Sequence, residues 1–215
     1  MPDARSAILM TLRMALADAP DPGPALQASA TGPFGPADWT AFAAACENSG
    51  THFTLAPDWT AAGLAVRGLF AELHVKSAGF WAHPDLEPLD LPSLCAELNI
   101  ETAANTDALT RADIGVTSAH GALAESGSVL VVANPDTPRA TSLLPTVHLA
   151  IIPPGRTVPG IADLPAFLRS QADKNDILPS AVHAITGPSS TGDIEMVVVK
   201  GVHGPVRVFV VAVAE

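Results

Sequence analysis

Residues 147–152 (VHLAII) and 206–213 (VRVFVVAV) are two short apolar runs in the second half of the chain. Both fall far below the roughly 18 apolar residues that a membrane span requires, so we predict that both are buried strands. Further strand-like runs lie at residues 51–55, 75–81, 100–103 and 181–185, and helical spacing predicts helices at residues 39–46, 60–73, 91–98 and 161–172. Strands that alternate with helices predict an α/β domain layered around a largely parallel sheet.

Three local signals refine this organisation. Asp38 is a candidate N-cap for the helix at residues 39–46, and Thr106 is a candidate N-cap for a short helix that runs through Asp113. The apolar residues 122–124 and 129–133 flank the turn Glu125-Ser126-Gly127. This pattern predicts a hairpin of two strands joined by a tight glycine turn.

Length and composition limit the classes of protein to which the chain can belong. The 215 residues suffice for one α/β domain, which we place at residues 37–215, preceded by a helix and a Pro/Gly-rich linker at residues 1–36. A net charge of −11 with scattered Lys and Arg argues against nucleic acid as a partner. Two isolated cysteines, Cys46 and Cys95, are expected to be buried thiols, and they cannot hold an iron–sulfur cluster through four thiolates. We expect no cofactor within this chain, and no metal site either, because no HxH, HExxH or CxxC spacing supports one among its histidines, carboxylates and cysteines.

The first residues predict an amphipathic helix. Ile8, Leu9, Leu12 and Leu16 follow helical spacing and form one apolar face, which we expect to pack on the same domain or on a partner subunit. Charged residues interrupt the apolar stretch, so no signal peptide is indicated and a cytoplasmic location is expected. No run of residues is long enough to span a membrane.

The loop between the strands at residues 181–185 and 206–213 is rich in specialised residues. It reads ITGPSSTGDIE at residues 185–195 and GVHGP at residues 201–205. Glycine permits close backbone approach, and the hydroxyls of Ser189, Ser190 and Thr191 can donate or accept hydrogen bonds. The stretch from Gly187 onward therefore predicts a backbone nest for a carboxylate or phosphate, although a purely structural turn is the alternative.

Four stretches in order carry a family resemblance: residues 124–128 (AESGS), Arg139 with residues 142–148 (SLLPTVH), the ITGPSSTGDIE loop and GVHGP. Together they resemble the LUD-domain family of lactate-utilisation proteins, in particular the protein C type. The resemblance implies a three-layer α/β/α sandwich with a Rossmann-like sheet, related to sugar-phosphate isomerases and coenzyme A transferases. It also implies a role in oxidising L-lactate to pyruvate, with partner proteins that are cysteine-rich and carry the iron–sulfur clusters.

The chain departs from the family pattern at the nest. Ser190 stands where the family usually has Arg, and Ser126 and Ser128 stand where it usually has Thr. Without that guanidinium, we expect Arg139 or Lys200 to supply the positive charge for an anion.

The residues that these motifs single out fall into two groups, each with a structural alternative. Glu125 resembles the nucleophilic glutamate of coenzyme A transferases, His203 is a candidate general base, and Asp193 could orient it. The alternatives are a turn carboxylate that caps backbone amides, and a histidine that holds the neighbouring loop. Candidate ligand-binding residues are Arg139, His148, Gly187, Ser189, Ser190, Thr191 and Glu195. A core role is the alternative for His148, and we expect His83 to be structural, whereas His120 precedes Gly121 at the mouth of the hairpin and could face the same cleft.

Three functions follow as alternatives. The first is a subunit or accessory protein of an L-lactate utilisation system that binds a small anionic ligand in a cleft lined by Glu, His and Ser. The second is a stand-alone enzyme of the coenzyme A transferase or sugar-phosphate isomerase type that uses Glu125. The third is a non-catalytic assembly module for an iron–sulfur partner.

Overall fold

The structure is a computed structural model that describes residues 4–17, 32, 34–173, 175–191 and 199–215. Within them, the helices are α1 Ala4–Ala17, α2 Trp39–Ser49, α3 Trp59–Glu72, α4 Leu91–Glu97, α5 Thr106–Leu109, α6 Ala140–Leu143 and α7 Leu164–Ser170, with 3-10 turns at Pro84–Leu89 and Ile161–Asp163. The strands are β1 His52–Ala56, β2 Ser77–Phe80, β3 Glu101–Thr102, β4 Ile114–Ser118, β5 Gly121–Leu123, β6 Ser128–Ala133, β7 Val147–Ile152, β8 Thr157–Val158, β9 Ala181–Ile185, β10 Ser190–Thr191, β11 Val199–Lys200 and β12 Arg207–Val213.

A six-stranded sheet of order β1-β12-β7-β4-β2-β3 forms the centre of the domain, and all of its strand pairs are parallel. The two runs that predicted the fold are neighbours in it, with Val208 opposite His148 and Val210 opposite Ala150. Strands β7 and β12 are almost entirely buried, as is expected where helices flank a parallel sheet. The α/β fold class and the largely parallel sheet are thus confirmed.

Helices α2 and α3 begin within one residue of the predicted positions. The carboxylate of Asp38 accepts a hydrogen bond of 2.9 Å from the amide of Ala41, and Asp58 caps α3 in the same way through the amide of Ala61 at 2.8 Å. Phe42 on α2 and Phe70 on α3 are buried against the sheet. Hydrophobic burial of these faces, more than helix propensity, holds the layer together.

A second sheet of order β8-β5-β6-β9 was not expected from the sequence. The predicted hairpin is present, with β5 antiparallel to β6, but β6 continues the sheet by pairing with β9. Gly127 at the hairpin turn has a φ of +65° and packs against the backbone of α2, so the turn demands glycine. A small core around Phe167 and Leu130 lies on this sheet, apart from the main core.

Two local predictions were wrong. The cap of the short helix lies one residue earlier than predicted, because the side chain of Asn105 accepts from the amide of Ala108 at 2.9 Å. The helix therefore begins at Thr106, and it ends at Leu109. Strand β4 was missed altogether. All five of its residues are buried and Gly115 interrupts the apolar run, so neither alternation nor a β-branched run marks it.

The N-terminal helix is present, with its side chains from residue 4 to residue 14 exposed. Ile8 and Leu12 are 61% and 52% exposed, so the apolar face that they share does not pack on the described part of the same chain. None of the described helices is long and apolar enough to cross a membrane.

Replacing Gly115 by Ala is expected to destabilise the domain by about 2 kcal/mol or more, because a Cβ there would overlap the carbonyl oxygen of Thr141 and touch the Pro145 ring. Gly63→Ala in α3 is the matched control, since nothing lies within 4 Å of its added Cβ, and it should stabilise by about 0.5–1 kcal/mol. Urea unfolding of the three proteins measures both changes. Equal stabilities of the two variants would contradict the close packing of α6 on β4.

Candidate functional site

Glu125 lies at the exposed turn of the β5–β6 hairpin. Its Oε2 accepts a hydrogen bond of 2.8 Å from the amide of Ile161, at the start of a 3-10 turn. The carboxylate thus satisfies a backbone donor that would otherwise be unpaired. This contact is the structural alternative that the sequence offered for Glu125.

Ser189 and His203 are brought together by the two halves of the loop. The amide of Ser189 donates to the carbonyl of Pro205 at 2.9 Å, and the Oγ of Ser189 accepts from the amide of His203 at 3.3 Å. Gly187, with a φ of +84°, packs on the C-terminal end of α2, while Ser190 and Thr191 form the short strand β10. Asp193 and Glu195 lie outside the described residues.

His148 and Arg139 occupy two further places. His148 is fully buried at the centre of the sheet, where its Nε2 lies 2.9 Å from the hydroxyl of Thr117 and its Nδ1 has no hydrogen-bond partner among the described residues. Arg139 is exposed and lines an open cleft of about 550 Å³ beside the end of β6. In the described part of the chain, no hydrogen bond or ion pair joins Glu125, Arg139, His148 and His203 to one another.

The topology of the central sheet marks a different place. From β2 the chain moves outward to β3, then crosses back to β4 on the other side of β2 and continues through β7 to β12. Connections therefore leave β2 and β4 in opposite directions. In open parallel sheets, ligands bind in the crevice outside the carboxyl ends of the two strands where this reversal occurs.

Six side chains meet at this edge and form what we call the carboxyl-edge cluster. The cluster consists of Trp81, His83, Asp85, Ser118, His120 and Arg156. Trp81 and His83 follow β2, Ser118 and His120 lie at the end of β4, and Arg156 follows β7. The parallel strands thus bring together residues that are up to 75 positions apart.

Three rings form one face of the cluster. The centroids of His83 and His120 are 6.0 Å apart, and that of Trp81 lies 5.9 Å from His120 and 6.3 Å from His83. The indole nitrogen of Trp81 donates to the carbonyl of Pro138 at 3.1 Å, which fixes the ring. The aromatic face is therefore preorganised before any ligand arrives.

Hydrogen bonds assign the tautomers of both histidines. The Nδ1 of His83 accepts from the amide of Asp85 at 3.3 Å, and the Nδ1 of His120 accepts from the amide of Val132 at 3.2 Å. The Nδ1 of His83 also lies 3.6 Å from a carboxylate oxygen of Asp85, a longer contact that would require a protonated ring. We favour the backbone hydrogen bond because it is shorter, and it leaves the proton of each ring on Nε2.

Electrostatics keep His120 uncharged. Burial lowers the pKa of His120 to about 4, the neighbouring His83 and Arg156 lower it too, and only Asp85 acts in the opposite direction. Asp85 is itself held by the hydroxyl of Ser118 at 2.8 Å. The guanidinium of Arg156 lies 4.0 Å from Asp85 and 5.8 Å from the ring centre of Phe34. Arg156 is thus a loosely paired, partly exposed cation.

The cluster presents hydrogen-bond donors more than it presents bases. Both Nδ1 lone pairs accept backbone amides, so each imidazole offers an N–H, and Arg156 adds a charged guanidinium. Such a set suits an oxyanion such as a carboxylate or a phosphate. No group of three or more His, Cys, Asp or Glu side chains among the described residues is placed to hold a metal ion.

Sequence reasoning missed most of this cluster, having expected His83 to be structural and having placed His120 beside the Glu125 hairpin. One available signal was positional, because His83 and Ser118 each lie at or just beyond the carboxyl end of a strand. The sequence does not reveal this position for Ser118, because it does not predict strand β4. Trp81 stood inside the strand predicted at residues 75–81, whereas β2 ends at Phe80.

The fold and the cluster together define an α/β protein with a crevice at the carboxyl edge of a parallel sheet. The LUD domain family matches residues 40–213 of the chain. The chain therefore belongs to the LUD domain family, which confirms the resemblance seen in its motifs.

The chain is similar to several curated proteins. A lactate utilization protein C from Halalkalibacterium halodurans is 34% identical over 157 residues, covering 70% of this chain and 68% of that protein. Lactate utilization protein C from Bacillus licheniformis is 40% identical over 111 residues, and that from Bacillus subtilis is 39% identical over 105 residues. These two alignments cover 52% and 49% of this chain, and 46% and 44% of the respective relatives, so they span about half the length of those proteins.

A solved structure shares the fold. The crystal structure of a DUF162 family protein from Deinococcus radiodurans superposes with a TM-score of 0.57 at 19% identity, covering 81% of this chain and 95% of that one. At this identity the likeness supports the fold alone.

The buried His148 is expected to make stability depend on pH. Burial lowers its folded pKa from 6.5 to about 4, so the unfolded chain binds one more proton between these values. This difference adds about 3 kcal/mol to the free energy of unfolding above pH ~6.5, and the added stability is lost as the pH falls toward 4. His148→Gln keeps a donor for Thr117 but cannot titrate. Between pH 5 and 6.5, the slope of the unfolding free energy against pH should therefore decrease by the equivalent of about one bound proton. An unchanged slope would contradict this prediction, and His120→Gln should remove a similar proton independently.

Proposed function

We propose that this chain takes part in L-lactate utilisation, as a subunit or accessory protein, and that it binds a small carboxylate at the carboxyl-edge cluster. Relatives of this family that are named lactate utilization protein C support the pathway. The observation that carries the binding site is the meeting of His83, His120 and Arg156 where the strand connections reverse.

The donor set fits the chemistry of L-lactate and pyruvate. Each has a carboxylate that a guanidinium can bind, and a hydroxyl or keto oxygen that an imidazole N–H can hold. Arg156 is the natural partner of the carboxylate because its link to Asp85 is long, at 4.0 Å, so binding need not break a strong ion pair. Partial burial, with 37% of the Arg156 side chain exposed, reduces solvent screening of the contact.

The proposed site differs from the one that the loop motifs predict. Arg139, a candidate substitute for the missing Arg at position 190, lines a separate cleft in which Pro138 is also a lining residue. Substituting Arg156 tests the carboxyl-edge cluster, whereas substituting Arg139 tests the site that the loop motifs predict.

Arg156→Ala should weaken binding of L-lactate or pyruvate at least about tenfold, because it removes a charge-assisted hydrogen bond worth about 1.5–3 kcal/mol. Isothermal titration calorimetry on the purified chain measures the affinity. Arg169→Ala, an exposed arginine on α7, is the matched control and should have no effect. If Arg139→Ala weakens binding and Arg156→Ala does not, the loop-motif site is favoured and the cluster is excluded.

Growth tests the role in the pathway. Deleting the gene in its source organism should impair growth on L-lactate and spare growth on glucose, and the intact gene should restore it. Complementation by a His83→Ala, Arg156→Ala double variant should fail, whereas Arg169→Ala should succeed. Unimpaired growth of the deletion strain on L-lactate would refute the pathway role. Loss of growth with Glu125→Gln but not with the double variant would instead favour a stand-alone enzyme that uses Glu125.

A second candidate concerns assembly, and the exposed apolar face of α1 favours it. Ile8, Leu9 and Leu12, which share that face, are 61%, 43% and 52% exposed, and the charged residues of the helix are Arg5 and Arg13. Such a face is typical of helices that dock on another protein. We propose that it docks on a cytoplasmic, cysteine-rich iron–sulfur protein of the same lactate-utilising system.

Leu12→Asp should abolish co-purification of such a partner from cells grown on L-lactate, because it places a charge in the apolar face. Thr11→Asp, on the same helix, introduces the same charge outside that face and serves as the control. Co-purification that survives Leu12→Asp would contradict docking through α1.

A further inference from the structure

A second cleft adjoins the carboxyl-edge cluster and differs from it in chemistry. It has a volume of about 360 Å³ and lies between the end of β2 and the 3-10 turn that precedes α4. Clefts of roughly 300–1,000 Å³ are typical of small-molecule sites. A three-carbon acid would leave most of this space empty, so the cleft suits a larger ligand.

The walls of this cleft are aromatic and aliphatic. Phe80, Trp81 and His83 line it together with Leu86 and Leu91, and of these five Trp81, Leu86 and Leu91 are buried. Flat apolar walls with fixed rings favour a planar aromatic ligand, because stacking and edge contacts add to the burial of apolar area. Trp81 is suited to this role, since its hydrogen bond to Pro138 already fixes it.

The polar groups of the cleft are two carboxylates and the imidazole of His83, which offers its Nε2–H. Glu87 and Asp90 contribute carboxylates, and among the described residues no Lys or Arg lines the cleft. The ring that occupies it should therefore carry hydrogen-bond donors such as hydroxyl or amino groups, and it should not carry its negative charge inside the cleft.

The cation that an anionic ligand needs is Arg156, which lies in the adjoining carboxyl-edge cluster. His83 lines the cleft, touches Asp85 at 3.6 Å and faces His120 with ring centroids 6.0 Å apart, and Asp85 in turn lies 4.0 Å from Arg156. A ligand with its ring in the cleft can thus extend past His83 and present an anionic group to Arg156. Arg156 does not itself line the cleft, so the anionic group of such a ligand would lie outside it, beyond His83 and Asp85.

We infer that the cleft beside Trp81 is a ring-binding subsite and that the full site takes a heteroaromatic ligand with hydroxyl groups and a terminal anion, the chemistry of a mononucleotide. The ring lies against Trp81 and His83, the hydroxyls face Glu87, and the anionic group lies at Arg156. The ring subsite stands on the cleft alone, whereas the anionic end rests on the anion site proposed above.

Titration calorimetry of the purified chain with adenosine monophosphate, adenosine and inorganic phosphate tests the inference. We expect adenosine monophosphate to bind at least tenfold more tightly than adenosine or phosphate. Ala82→Phe should weaken both adenosine ligands at least tenfold, because Ala82 is exposed and lines the cleft. Ala96→Phe is the matched control on an exposed side of α4 that does not line the cleft, and it should leave both affinities unchanged.

Arg156→Ala separates the two ends of the site. It should weaken adenosine monophosphate at least tenfold and leave adenosine unaffected. Adenosine that binds and responds to Ala82→Phe while L-lactate and pyruvate do not bind would support the ring subsite and refute the carboxylate proposal. Failure of both adenosine ligands to bind at millimolar concentration, or binding that Ala82→Phe leaves unchanged, would overturn the inference.

Discussion

The close contact between Gly115 and the carbonyl oxygen of Thr141 is the constraint on which the rest of the structure depends. It lets α6 lie directly on β4, the strand that joins the two halves of the parallel sheet. Beyond Ser118 the same chain segment leaves the first sheet, and after two intervening residues it enters the second sheet at Gly121. The position of β4 therefore fixes both sheets and the crevice between its end and that of β2.

Local backbone groups organise the carboxyl-edge cluster electrostatically. Backbone amides donate to the Nδ1 atoms of both histidines, and the hydroxyl of Ser118 donates to one oxygen of Asp85. These hydrogen bonds fix the orientation of the two imidazoles and leave their Nε2–H groups as donors. Burial lowers the pKa of His120 to about 4, which keeps that ring a neutral donor at physiological pH. Donors held in this way suit an anion, because they would not have to rearrange before contacting one.

Much of the fold was predictable from the chain because its strongest signals are local. Asp38 caps α2 as predicted, residues 147–152 form a buried strand, and the Glu125 turn closes a hairpin. Predictions failed where tertiary contacts replace local pattern. Strand β4 has a glycine where a side chain would mark it, because α6 occupies that space. The second sheet was not predicted because the pairing of β6 with β9 joins residues about 50 positions apart.

The sequence by itself determined the family and the α/β class, since ordered motifs and hydrophobic periodicity survive without knowledge of the contacts. It also identified the loop with Ser189 and His203, which the structure does bring together. Only the tertiary structure decided which side chains share a crevice. Trp81, His83, His120 and Arg156 carry no motif, and they meet because parallel strands bring their carboxyl ends to one edge of the sheet.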